Sequence, residues 1–424
     1  MTKIVVKWEF VLMAMGLLTA CNDGNTIDII EEGTDSMVVD MLPKTQPIIL
    51  TAEQRTFAQK NNDFTFNLYR AINEANNIKS NITSPLSATF LLSMLNDGAA
   101  GITTQEISKV LGFGNDKEAL NVYCKALMEQ APKADPSVIL QIANIVAANK
   151  QVSLEAAFNK DMLDYYQAEV ASLDFAKSSS VDYLNGWCNE KSNGMIPQII
   201  DQLNPNALLV LMNALYFKAT WTEKFDEKDT QTESFAKADG TTLQLPMMHR
   251  NAEMLYAKNE LYSNICLPFG SGDKYSMHIL LPNDGKTVDD VINSLSNSTW
   301  ERSKAYFHTI ADIKIPRFFT ESDIVLNNMV AKLGAPSIFD PQKADFSGIS
   351  KNFKQLYVNL LKQKTAIEVS EEGTKTTAIT VADWVGADMS KKKKVEFHAN
   401  RPFVYVIQEA SSGAIFFIGT FRGE

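Results

Sequence analysis

Cysteine is scarce in this chain of 424 residues: Cys21, Cys124, Cys188 and Cys266 make up the whole set. No CxxC pair occurs, which argues against a structural zinc site or a dithiol redox site. Basic charge is also in deficit. Against 50 Asp+Glu stand 40 Lys+Arg, a formal net charge of −10. A nucleic-acid binder needs a basic face, so that class is disfavoured. The motifs GxSxG, HExxH, GxxxxGK[ST] and GxGxxG are all missing, and with them the commonest hydrolase, metalloprotease and nucleotide signatures. Histidine is limited to His249, His278, His308 and His398, none inside a local catalytic motif, so each reads as a surface or packed side chain. The acidic pair Glu371-Glu372 reads first as solvated charge. No cofactor site, no metal site and no enzyme activity is expected. What remains is ordinary globular composition, with 45% hydrophobic and 21% charged residues, 20 Gly and 14 Pro. Those values exclude disorder, collagen and coiled coil as the main class. A body near 370 residues can bury a large core without disulfides.

The amino terminus carries an address. Lys3 and Lys7 precede the apolar stretch from Phe10 to Leu18. That stretch is short for a bilayer span and fits a signal-peptide core. It ends Leu18-Thr19-Ala20-Cys21, which resembles a bacterial lipobox. The resemblance implies that residues 1–20 are a lipoprotein signal peptide, removed before Cys21, and that Cys21 is lipidated. An ordinary signal peptide is the alternative. Residues 21–52 then form a lipidated cysteine and a flexible acidic tether, with Asp23, Asp28, Glu31, Glu32, Asp35 and Asp40 and no sustained period. Packing of Ile48-Ile49-Leu50 on the body stays open. The expected location is the bacterial cell envelope, outer membrane or surface, by a lipid anchor. Three cysteines remain, an odd number, and read as buried small apolar residues.

From residue 53 the chain reads as one mixed unit. Phe57, Phe64, Leu68 and Ile72 recur at helical spacing, with Thr51 as cap. Thr83-Ser84-Pro85 opens a second helix. Val138 to Ala147, Leu208 to Phe217 and Met277 to Leu281 read as strands. Near the carboxy terminus, 403–407 and 414–418 flank Glu409-Ala410-Ser411-Ser412-Gly413 as a hairpin apolar on both faces.

The informative segment starts at Glu371. No proline occurs between Pro341 and Pro402, and residues 374–385 are mainly small or β-branched, which suits a strand. Alternation puts Thr374, Thr376, Ala378, Thr380, Ala382 and Trp384 on one uncharged face. Lys375 and Asp383 fall on the other. On these residues alone an edge strand followed by a loop fits equally well.

The ordered motifs go further. They are Asn81–Ser87, Asp97–Thr103, Asn185-Gly186-Trp187 with Asn193–Ile196, Asn213–Trp221, Lys314–Phe318, Asp345–Ile349 and Phe397–Val406. In that order they resemble the serpin family over 53–424. The resemblance implies an α+β fold: one large domain with a main mixed β-sheet, two smaller sheets, eight or nine helices and an exposed reactive loop at about 371–394. It implies a suicide inhibitor of extracellular serine proteases, with cysteine proteases as further targets. The loop is cut, stays acylated to the protease and inserts into the main sheet; serpin insertion is an established case of strand addition. Glu371, Glu372 and Gly373 then form the hinge, and Thr374, Thr376, Ala378, Thr380 and Ala382 the inserting face. Thr376 and Thr377 stand where the family usually has alanine. Ser84, Ser87, Asn213 and Gln363 correspond to the shutter, with Gln363 where many members carry histidine. Gln363 is expected to bond Asn213 or Ser84. Loop length places the reactive bond at Ala387 or Asp388, with Met389, Ser390 and Lys391 as alternatives. Ala387 or Met389 favours elastase-like targets and Lys391 trypsin-like ones. The Lys391–Lys394 run reads as a solvated stretch or as a protease or polyanion contact. A monomer is expected, whose partners are target proteases and a membrane rather than nucleic acid. The alternative function is a non-inhibitory serpin acting as a binding or carrier protein.

Overall fold

The structure, a computed structural model, describes residues 44–114, 116–353, 355–373 and 394–424. The first helix, α1 (Ala52–Ala75), starts at a capping box. The Thr51 hydroxyl accepts from the Gln54 amide at 3.2 Å, and the Gln54 side chain accepts from the Thr51 amide at 2.9 Å. Phe57, Phe64, Leu68 and Ile72 are all buried, as their spacing requires. After β1 (Asn81–Thr83) comes α2 (Pro85–Gly98), capped by Ser84 with Pro85 in its first turn. The chain continues through α3 (Gly101–Leu111), α4 (Lys117–Gln130), β2 (Val138–Asn149), α5 (Ala156–Tyr166), β3 (Glu169–Leu173), α6 (Ser178–Lys191) and β4 (Leu209–Ala219). Four strands follow: β5 (Gln231–Ala236), β6 (Thr242–Lys258), β7 (Tyr262–Pro268) and β8 (Tyr275–Pro282). Then come α7 (Val288–Ser294), α8 (Asn297–Ser303), β9 (Phe307–Pro316), β10 (Phe318–Val325), α9 (Asn327–Leu333) and β11 (Lys362–Val369). The last strands are β12 (Lys394–His398), β13 (Phe403–Glu409) and β14 (Ile415–Phe421).

The strands form three ladders. One has nine strands in the order β1-β14-β13-β8-β7-β6-β9-β12, with β5 on β6. Near its β1 end lies the carboxy-terminal hairpin, in which every residue of β13 and β14 is buried. The second ladder is β3-β2-β4, parallel between β2 and β3 and antiparallel between β2 and β4. The third is the antiparallel pair β10-β11. The expected main mixed sheet is thus present as two ladders, and among the described residues none joins β4 to β11.

The two faces of β4 pack differently. Leu215, Phe217 and Ala219 belong to the main core together with Leu91, Leu92 and Leu95 of α2. Met212 and Ala214 belong to a second core with Leu184, Trp187 and Cys188 of α6. The period of two along the strand produces this division.

Composition places residues up to 52 in a tether, but the last of these are fixed to the body. The Gln46 amide donates to the Ala134 carbonyl at 2.9 Å and the Ile48 amide to the Ser411 hydroxyl at 2.7 Å. Ile48 and Leu50 are buried in the core, while Ile49 between them is exposed. Two apolar side chains on one face gain more from burial than a polar linker would, which decides the packing. Cys124, Cys188 and Cys266 are free and buried. Burial pushes their thiols up, to about 12 for Cys124 and about 11 for the other two.

Candidate functional site

The open edge between β4 and β11 ends in a tight turn. After β11 the chain passes Ser370, Glu371 and Glu372 and reaches Gly373. The Gly373 amide donates to the Ser370 carbonyl at 3.0 Å, and the Ser370 amide returns a bond to the Gly373 carbonyl at 3.1 Å. On its other side Gly373 bridges Thr220, the residue after β4. Gly373 therefore sits between the ends of the two ladders and is paired to both. Its φ is 103°, a region open to glycine. A Cβ there would lie 2.5 Å from the Trp221 amide nitrogen and 2.7 Å from the Ala219 carbonyl oxygen, so a larger residue does not fit.

Residues distant in sequence clasp this turn. The Trp221 amide donates to the Glu372 carbonyl at 2.9 Å, and its indole N–H to the Ser370 carbonyl at 2.9 Å. Trp221 itself stacks on Phe269 with ring centroids 4.5 Å apart. Phe225 donates its amide to the Glu371 carbonyl at 3.0 Å. The Glu371 carboxylate accepts from Arg317 Nε at 3.0 Å, Arg317 Nη2 at 2.6 Å and the Thr230 hydroxyl at 2.7 Å. Burial by itself would raise the Glu371 pKa. The bonds from Arg317 and Thr230 outweigh it and hold the carboxyl below its ordinary value of 4.5. Glu371 is thus a buried, paired charge rather than the solvated one its run of polar neighbours suggests. Glu372 is half-exposed and lies 3.7 Å from Lys224.

Deeper along the same opening lie Ser84, Ser87, Gln363 and Asn213. Gln363 accepts from the Ser84 amide at 3.0 Å and from the Thr83 hydroxyl, and donates to the Ser84 carbonyl at 2.7 Å. The Ser87 hydroxyl donates to that of Ser84 at 3.1 Å. Three of the four residues are therefore joined, and the expected bond from Gln363 goes to Ser84. Asn213 stands apart, donating to Asn144 Oδ1 at 2.8 Å and the Ala143 carbonyl at 3.2 Å. Its amide oxygen is buried with no partner among the described residues. Among the described residues no hydrogen bond joins Asn213 to Gln363, and no ladder joins their strands.

Among the remaining motifs, Asp97–Thr103 meets Asp345–Ile349 and Lys314–Phe318 meets Phe397–Val406, whereas Asn185 reaches residues just beyond Asn193–Ile196. Gly348 donates its amide to the Gly98 carbonyl at 3.1 Å, and Ala100 to the Asp345 carbonyl at 2.9 Å. Asn185 Oδ1 accepts from the Ile199 and Ile200 amides, both at 3.0 Å. The Ala399 amide donates to the Lys314 carbonyl at 2.8 Å. Arg317, Thr230 and Trp221 were not legible as hinge residues. Arg317 and Trp221 lie inside recognisable motifs, but nothing local in the sequence says that they reach Glu371. Thr374, Thr376, Ala378, Thr380, Ala382, Ala387, Asp388, Met389, Ser390 and Lys391 lie outside the described residues, as does Cys21.

The model of the serpin (serine protease inhibitor) family matches residues 59–423. The chain belongs to the serpin family. A serpin-like protein of Thermococcus kodakarensis is 30% identical over 392 residues, covering 89% of this chain and 88% of its own. Among solved structures, the native-state thermophilic serpin tengpin matches with a TM-score of 0.80 at 28% identity, covering 90% of this chain and 97% of that one. Human thyroxine-binding globulin in complex with its hormone matches with a TM-score of 0.79 at 26% identity, over 88% of this serpin and 100% of that chain. In this serpin the turn at Gly373 lies between the end of β4 and the end of β11.

Proposed function

We propose that this serpin is a suicide inhibitor of extracellular serine proteases, with cysteine proteases as further targets, which it traps by drawing its cut loop into the opening between β4 and β11. The observation that carries this reading is Gly373, bridged at once to Thr220 and Ser370. Continuing both bridges without a bulge sets the register of an inserted strand. Thr376 falls between Phe217 and Ile367, Thr380 between Asn213 and Gln363, and Ala382 between Leu211 and Leu361. Cross-strand neighbours share a face, so the uncharged face of the loop lies with the odd-numbered residues of β4, in the main core. Lys375 and Asp383 fall on the α6 side. A strand paired on both sides adds roughly a dozen hydrogen bonds at about 0.5–1.5 kcal/mol each. The total, of order 10 kcal/mol, rivals the stability of a domain and can make trapping irreversible.

Ala387 or Asp388, with Met389, Ser390 and Lys391 as alternatives, supplies the reactive bond, and small or apolar residues there favour elastase-like proteases. Cys21 carries a lipid and holds the inhibitor at the bacterial envelope. The chain itself performs no catalysis. A carrier role is the second reading: the pocket beside Trp221 holds about 120 Å³, but one lined by Ile72, Asn81, Ser322 and Met329 holds about 320 Å³, at the low end of the ~300–1,000 Å³ of drug-sized ligand sites. Mixing the protein with pancreatic or neutrophil elastase tests the proposal. An SDS-stable complex is expected. Cleavage of every loop with no complex, and no gain in heat stability, would favour the carrier.

A further inference from the structure

At the lower end of the same opening lies an apolar groove with no obvious use in an uncut serpin. Leu209 and Leu211 of β4, Leu95 of α2, and Phe346, Leu356 and Leu360 line it, around only about 20 Å³ of free space, so it is a shallow apolar seam that an entering strand would have to part. Leu360 is 50% exposed and the neighbouring Tyr357 40%. Clustered apolar exposure of this kind marks a surface awaiting a partner.

We propose that the groove is the seat of Trp384, and that this contact sets how far the segment after Gly373 enters. The inference rests on the insertion reading above. The register fixed by Thr220 and Ser370 carries position 384 to Leu209 on one side and Asn359 on the other, beside Leu360. Parity puts Trp384 on the face of Leu209 and Leu211, both of which line the groove. The residues entering above it on that face are threonine and alanine, so nothing bulky obstructs the approach. Trp384 is the one aromatic side chain between residues 374 and 393. An aromatic ring offers a large apolar area with few rotamers to freeze, which suits an end-stop.

The test uses full-length protein clipped on the carboxy-terminal side of Val385, with the cut mapped by mass. Difference spectra against Trp384→Ala isolate the emission of Trp384 from that of the other tryptophans. On clipping, this emission is expected to shift to the blue and its quenching by acrylamide to fall several-fold. Trp384→Ala and Leu360→Ser should each remove part of the clip-induced rise in unfolding temperature, and the double variant should lose no more than the larger single loss. If clipped protein gains heat stability while Trp384 stays as quenchable as before, the groove assignment is overturned and insertion stands. A gain that ignores both substitutions overturns the assignment in the same way. If clipped wild type gains no heat stability, insertion itself fails and the groove assignment falls with it.

Discussion

Arg317 and Glu371 form a two-pronged ion pair, with Nε and Nη2 of the guanidinium 3.0 and 2.6 Å from the two carboxylate oxygens. The carboxylate is 3% exposed and the guanidinium about half exposed, at 47%. The pair ties the exit of β9 to the turn at Gly373.

Removing the guanidinium should cost stability. Breaking a buried pair costs about 3–5 kcal/mol, and the exposure of Arg317 screens this one to about 1–2 kcal/mol. Glu371 titrates below its ordinary value of 4.5. The stabilisation is therefore complete above that pH and is lost as the pH falls through the lower folded value. Arg317→Ala should melt a few degrees below wild type at pH 7, and the difference should shrink towards zero in strong acid. Thermal denaturation at pH 7 and at pH 3 checks both the size and the sign.

Loop parity makes a paired prediction. In the proposed register Thr376 would fall between Phe217 and Ile367, both buried, whereas Lys375 would fall between the half-buried Lys218 and the exposed Glu368. A carboxylate at 376 would have to be buried unpaired, at a cost of several kcal/mol. Thr376→Glu should turn the inhibitor into a substrate that is cut and released. Lys375→Glu should keep inhibition, because its charge would stay at a wet edge, with Lys218 on one side and the solvent-exposed Glu368 on the other. The ratio of SDS-stable complex to cleaved product for each variant reads the difference.

Away from the hinge, Asp97 at the end of α2 predicts a pH effect. Burial pushes its pKa up to about 7, against an ordinary value of 3.8. The Asn121 amide donates to one carboxylate oxygen at 2.6 Å, and the other oxygen is buried without a partner. The folded form holds a proton that the unfolded chain gives up. Stability is then greatest below pH 4, declines through pH 7 and is level above it, by up to about 4 kcal/mol. Asp97→Asn should flatten this slope and melt above wild type at pH 8 but not at pH 4. Equal pH slopes for the two proteins would remove Asp97 as the cause.

Local chemistry made much of the fold legible. Thr51 and Ser84 announce the starts of α1 and α2, and the apolar runs of β13 and β14 announce a hairpin buried on both faces. The loop residues were marked by what they avoid, proline throughout and charge on one face. Long-range pairing was not legible. Nothing near Glu371 tells that Arg317, 54 positions away, neutralises it, so the residue reads as solvated. Asn213 and Ser84 look equivalent in the sequence as partners for Gln363, and only the structure assigns Gln363 to Ser84 and leaves the Asn213 amide oxygen unpaired. Ile48 and Leu50 were hidden in an acidic stretch whose composition speaks for a tether.

Hydrogen exchange at β4 and β11 tests the opening most directly. Along β4, alternate backbone groups are spent on β2, and the others face the opening; β11 is likewise paired on one side by β10. Clipping the loop should strongly slow exchange at the second set of amides in Leu209–Ala219 and Lys362–Val369, while β3 is unchanged. Fast exchange at those amides in fully clipped protein would show that no strand had entered between them.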